Sequence, residues 1–174
     1  DVYAGAIQDW LAEGTIPTGV DVVVGGPPCQ GFSTLGKQDA EDARNRLWEQ
    51  YAQVIQRARP KYFVVENVPA FGKSPQYRDF LAATRPGEFL EDYSFDFRVL
   101  NAADYGAPQA RRRAVLIGHR DDMAVPGFPE PTHSSDGDGD LPPYRTVRQT
   151  LLGVPAQPDM DERFDQLRTR VGSR

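Results

Sequence analysis

Cys29 is the only cysteine among 174 residues, and it lies in "VDVVVGGPPCQGFS", Val20 to Ser33, directly after a β-branched run. Glu66, in "YFVVENV", follows a second such run in the same way. A lone cysteine is commonly a small, inert core residue, but that reading explains neither Pro27-Pro28 nor the polar Gln30 beside the thiol. Three active readings compete with it. In the first, "GFSTLGK", Gly31 to Lys37, fits the G-x-x-x-x-G-K phosphate loop. However, Gln38 stands where Ser or Thr should hold magnesium. In the second, the thiol is a hydrolase nucleophile with His119 or His133 as its base. His119 ends a strand pattern and could reach the sheet edge, while His133 falls in the loop-like "EPTHSS". In the third, the thiol is the nucleophile and Glu66 its acid partner, which accounts for both placements.

The elements that must carry these two groups can be read from periodicity. Ile7, Trp10 and Leu11 have helical spacing, stopped at Gly14. Val20 and Val22–Val24 suit a strand buried on both faces. Leu47, Tyr51, Val54, Ile55 and Ala58 line one face of a helix that Pro60 ends. Tyr62–Val65 is a second buried strand, and Ser74-Pro75 opens a helix running to about Ala83. Strands at Phe95–Leu100 and Ala114–Ile117 follow, then short helices near Thr146–Leu152 and Asp161–Arg170. The alternation predicts an α/β fold. Its first β-α-β unit sets two strands parallel, so that Cys29 and Glu66 lie just past the same sheet edge, where ligands of open α/β sheets bind.

Composition narrows the setting. The length suits one domain with a sizeable core. No apolar run approaches the roughly 20 residues of a membrane span. One cysteine and two histidines leave no zinc spacing, so no metal is expected. Net charge is −5, yet from Arg98 to Arg120 five arginines face one acid, Asp104. From Asp121 to Pro143 there are six acids and no lysine or arginine. The tract Ser134–Asp140 reads as a solvated loop.

Four blocks in order, "GGPPCQGFS", "EDARNRL" (Glu41 to Leu47), "ENV" (Glu66 to Val68) and "QARRR" (Gln109 to Arg113), resemble the cytosine-C5 DNA methyltransferases. "FPEPTHS" and "PYRTVRQTL" are similar to what often follows the arginine block. The resemblance implies a Rossmann-like, S-adenosylmethionine-dependent fold with a mostly parallel sheet flanked by helices, present here incompletely. Residues 1–120 would be the central part of the catalytic domain, and 121–174 would lead toward a target-recognition region.

The same resemblance assigns roles. Cys29 would add to carbon 6 of a flipped-out cytosine, and Glu66, a carboxyl shielded by burial, would hold ring nitrogen 3 and the amino group. Arg113 would bind the base carbonyl, and Arg111 would support the site and the adjacent phosphate. Arg112 would alternate to the other strand face. Asp1, Val2, Pro28 and Leu47 match positions bordering the cofactor. The glycine-rich strand-turn that cradles the cofactor's methionine end is missing, as is the acidic block for its ribose. The fragment alone is therefore expected to be inactive. The expected partner is double-stranded DNA, in a cytoplasmic, nucleoid-associated bacterial system of restriction-modification or orphan methylation. A tRNA-directed relative and a non-catalytic DNA-binding module remain the alternatives.

Overall fold

The computed structural model describes residues 7–27, 47–137 and 139–152. Four strands form one sheet in the order β1-β2-β4-β3: β1 is Val22–Gly25, β2 Tyr62–Asn67, β3 Tyr93–Asn101 and β4 Arg112–Arg120. The helices are α1, Ile7–Glu13; α2, Leu47–Ala58; α3, Pro75–Ala83; and α4, Val147–Leu151.

Local chemistry explains most of the helix ends. Gly14, at φ 68°, takes the left-handed conformation that closes α1. The Ser74 hydroxyl accepts from the Tyr77 amide at 3.1 Å, with Pro75 in the first turn of α3. Thr146 and Gln149 form a reciprocal capping box on α4. The helix expected at 161–170 lies outside the described residues.

β1 and β2 pair in parallel, Val22 opposite Tyr62 through Gly25 opposite Val65, as the β-α-β pattern requires. β4 then enters antiparallel between β2 and β3. Among the described strands the sheet is therefore mixed where a parallel majority was expected. The physical reason lies in the β3–β4 connection, residues 102–111, which contains only a 3₁₀ turn at Ala102–Tyr105. Without a crossover helix, β4 has to return antiparallel beside β3.

α2 and α3 cover one face. Ala52, Ile55 and Phe80 pack there on Phe63, Val65 and Leu116. Phe63 meets Phe80 and Tyr93 edge-on, each at 5.8 Å between ring centroids. The expectation that β1 is buried on both faces fails, since Val22 is 50% and Val24 72% exposed. α2 lies over Val23 and Gly25, so the alternate residues point the other way.

Tyr51 ties the two parallel strands together. Its hydroxyl is shared between the carbonyls of Val64, at 2.9 Å, and Val23, at 3.2 Å. Burial pushes that phenol well above its usual range, so it remains a donor. Its ring fills the space above Gly25, where a Cβ would stand 2.2 Å from Cε2.

Candidate functional site

Where β1 and β2 end, the chain brings three segments together. Asn67, the last residue of β2, is buried, and its amide nitrogen donates to the Pro27 carbonyl at 3.0 Å. Its side-chain oxygen accepts from the Val68 amide at 2.8 Å. One side chain thus fastens the turn after β1 to the turn after β2. Glu66 lies beside it, with Oε2 3.4 Å from the position a Cβ on Gly26 would take.

β4 supplies the third segment. Glu66 stands opposite Val115 in the ladder, and the two-residue alternation puts Arg113 on the same face. Arg113 Nε meets Glu66 Oε1 at 2.8 Å, and its Nη1 donates to the Arg112 carbonyl at 2.8 Å. The structure brings Glu66 and Arg113 together although 46 residues separate them in the chain. Arg111 is exposed on the loop entering β4, and Arg112 is exposed on the alternate position.

Two expectations change here. Glu66 is half exposed (49% of its side chain) and ion-paired, rather than buried. It is the first residue of β2 beyond the stretch paired with β1, and it points off the helix-covered face. His119 stands opposite Tyr62, at the other end of β2 from Glu66, because β4 runs antiparallel. Four residues of strand, about 13 Å, separate those ends, so His119 cannot serve as a base for a group at the Glu66 edge. His133 packs its ring on Gly106 and pairs Nδ1 with the Thr132 hydroxyl at 2.9 Å.

Beside the Pro27 turn is an apolar cavity of about 480 Å³, lined by Trp10, Ile16, Gly25, Pro27, Leu47 and Tyr51. Clefts that take small ligands span about 300–1,000 Å³ and are mostly apolar with few polar groups. Leu47 lines this cavity. Asp1, Val2, Pro28 and Cys29 lie outside the described residues, as does the Gly31–Lys37 phosphate-loop candidate. Among the described residues no cluster of His, Cys, Asp and Glu could hold a metal ion, and no helix is long and apolar enough to cross a membrane.

Sequence reasoning passed over Asn67 and Tyr51. Asn67 was within sight, a polar residue closing an otherwise apolar strand, whereas Tyr51 looked like one more member of an apolar stripe. Replacing Asn67 by alanine leaves the Pro27 carbonyl and the Val68 amide unpaired. The expected loss is about 1–3 kcal/mol, read as a lower urea midpoint at unchanged slope.

A sequence profile of the C-5 cytosine-specific DNA methylases matches residues 4–167. The type II methyltransferase M.XorII of Xanthomonas oryzae is 46% identical over 71% of the chain and 30% of its own length. M1.HphI of Haemophilus parahaemolyticus is 40% identical over 76% of the chain and 37% of its own length. M.SacI of Streptomyces achromogenes is 35% identical over 87% and 41%. The chain thus spans well under half the length of these relatives. Among solved structures, an E. coli protein described as a prophage-encoded DNA modification methyltransferase superposes with a TM-score of 0.56 at 28% identity, over 87% of this chain and 39% of that one. A methyltransferase of Entamoeba histolytica shares the fold, with a TM-score of 0.51 at 17% identity over 83% and 40%.

Proposed function

Because the chain belongs to the C-5 cytosine-specific DNA methylase family, we propose that it is the central part of an enzyme that methylates carbon 5 of cytosine in duplex DNA, within a bacterial restriction-modification or orphan methylation system. The observation that carries this reading is the Glu66–Arg113 pair standing against the Gly26–Pro27 turn, two residues before Cys29. Two residues of chain span at most about 7 Å. Asn67 fastens the Pro27 turn beside Glu66, which supports the reading that a thiol two residues further on acts on a base held by Glu66 and Arg113.

Each residue then has a task. Cys29 Sγ adds to carbon 6 of a flipped-out cytosine, which raises electron density at carbon 5. Glu66 grips nitrogen 3 and the amino group, supplying the proton that makes carbon 6 electrophilic. Entry of the base covers the Glu66 carboxyl and provides the shielding that the open site lacks. Two of the three Arg113 nitrogens are committed, Nε to Glu66 and Nη1 to the Arg112 carbonyl. The remaining nitrogen, Nη2, is the donor for the cytosine carbonyl oxygen. Arg111, exposed at the mouth of the loop, meets the neighbouring phosphate. S-adenosylmethionine, when bound, supplies the methyl group. Leu47 would border the cofactor in the apolar cavity, and the family pattern gives Asp1, Val2 and Pro28 the same task. Loss of the carbon-5 proton and expulsion of Sγ restore the aromatic ring and the free thiol. Extruding the base costs a few kcal/mol, least where pairing is already weakened.

The test is covalent trapping of the complete protein on duplex DNA carrying 5-fluorocytosine. A fluorine at carbon 5 cannot leave as a proton does, so the adduct persists. The expected result is a denaturation-resistant protein–DNA species that Cys29→Ser abolishes. An adduct on tRNA with none on DNA would reassign the substrate. Absence of any adduct would favour a non-catalytic DNA-binding module.

A further inference from the structure

The loop that carries Arg111 and delivers Arg113 is held at its crown by a contact between distant segments. After the 3₁₀ turn Ala102–Tyr105 the chain reverses at Gly106, φ 84°, and closes through Ala102 N–H to the Arg111 carbonyl at 2.9 Å. Asp104, in that turn, is bonded from three directions. Its carbonyl accepts the amides of Thr132, at 2.8 Å, and His133, at 2.9 Å. Its carboxylate oxygen Oδ1 accepts from Asn101 Nδ2 at 3.3 Å and from the Tyr144 hydroxyl. The hydrogen bond to that carboxylate, with further help from desolvation, raises the Tyr144 phenol above its ordinary range and keeps it a donor. The two limbs that grip the turn are joined to each other. Ser134 N–H donates to the Pro142 carbonyl and Tyr144 N–H to the Ser134 carbonyl, each at 3.0 Å. Residues 132–134 and 142–144 therefore form a two-limbed clasp, with the His133 ring closing over Gly106.

We propose that Asp104 and Tyr144 are positioning residues that set where the Arg111–Arg113 segment stands relative to Glu66. This rests on the methyltransferase reading above. β3 and β4 are already paired over nine positions, Tyr93 opposite Arg120 through Asn101 opposite Arg112, so the sheet does not need the clasp in order to form. The connecting loop does need it. A short 3₁₀ turn at the end of the sheet, in which Ala103 alone is buried, is the kind of element that opens locally at little cost. An arginine that must meet one base oxygen or one phosphate has to be held within about 0.5 Å.

The experiment uses the complete protein and the Tyr144→Phe variant, which keeps the ring and removes only the hydroxyl. Hydrogen exchange reads the clasp without any reaction. Amides of residues 102–111 should exchange on the order of tenfold faster in the variant, with β2 unchanged, as expected for loss of one hydrogen bond to a charged group. Steady-state kinetics reads the consequence: KM for DNA should rise by a similar factor, while KM for the methyl donor stays within twofold. Unchanged exchange at 102–111 overturns the clasp itself. Faster exchange with an unchanged KM for DNA overturns the positioning role. A variant that loses thermal midpoint and both affinities together assigns the contact to folding alone and also overturns it. Should the wild-type protein form no Cys29 adduct with 5-fluorocytosine DNA, the methyltransferase reading fails, and the exchange result still decides whether Tyr144 holds the loop.

Discussion

Glu66→Gln in the complete protein is expected to slow methyl transfer by roughly 10²–10⁴-fold, the range that a positioned acid contributes, and to leave the fold intact. The substitution keeps the shape and one hydrogen-bonding oxygen, and it removes the proton that the ring needs at nitrogen 3. It also ends the ion pair with Arg113. That pair joins side chains that are 26% and 49% exposed, so the loss to stability is about 0–1 kcal/mol. In a protein of at least this length such a change moves the thermal midpoint by no more than about 4 °C. Single-turnover transfer from labelled methyl donor, run beside a thermal melt, separates the two effects. Transfer within threefold of wild type would remove Glu66 from the chemistry. A collapse of the melt would mean the Arg113 contact is structural.

The second large effect is on stability, at Gly118. This residue stands between Phe63 on β2 and Phe95 on β3, opposite both. An added Cβ would lie 2.0 Å from Phe63 Cζ. The Phe63 ring cannot swing aside, being fully buried and held edge-on by Phe80 and Tyr93. Interiors are too densely packed to absorb a methyl group at that distance. Gly118→Ala is therefore expected to cost about 2–4 kcal/mol, at or above the usual range for overpacking. The double variant Gly118→Ala with Phe63→Leu should recover part of that loss, because the smaller side chain vacates the contested space. Urea unfolding of the four members of this cycle measures the coupling. Additive costs in the double variant would show that the two residues do not compete for space.

How much of this was legible beforehand depends on the range over which each cause acts. The start of α3 follows from Ser74 and Pro75 alone, since a cap and a fixed φ act within one turn. The parallel pairing of β1 with β2 follows from a strand, a helix and a strand in succession, which also brings the Pro27 turn and Glu66 to one edge. The methylase blocks were readable because a few residue types at set spacings suffice to carry the chemistry, and the profile match over residues 4–167 agrees with them.

Two features could not be read that way: the insertion of β4 between β2 and β3, and the register that sets Arg113 beside Glu66 and His119 at the far end. Alternation fixes which residues share a face, but a slide of two residues along the partner strand keeps every face and changes every neighbour. That choice is made by fit between distant side chains, here Gly118 beneath Phe63. The amino-acid order by itself determined the local elements and the chemical groups. Tertiary packing alone decided which of those groups meet.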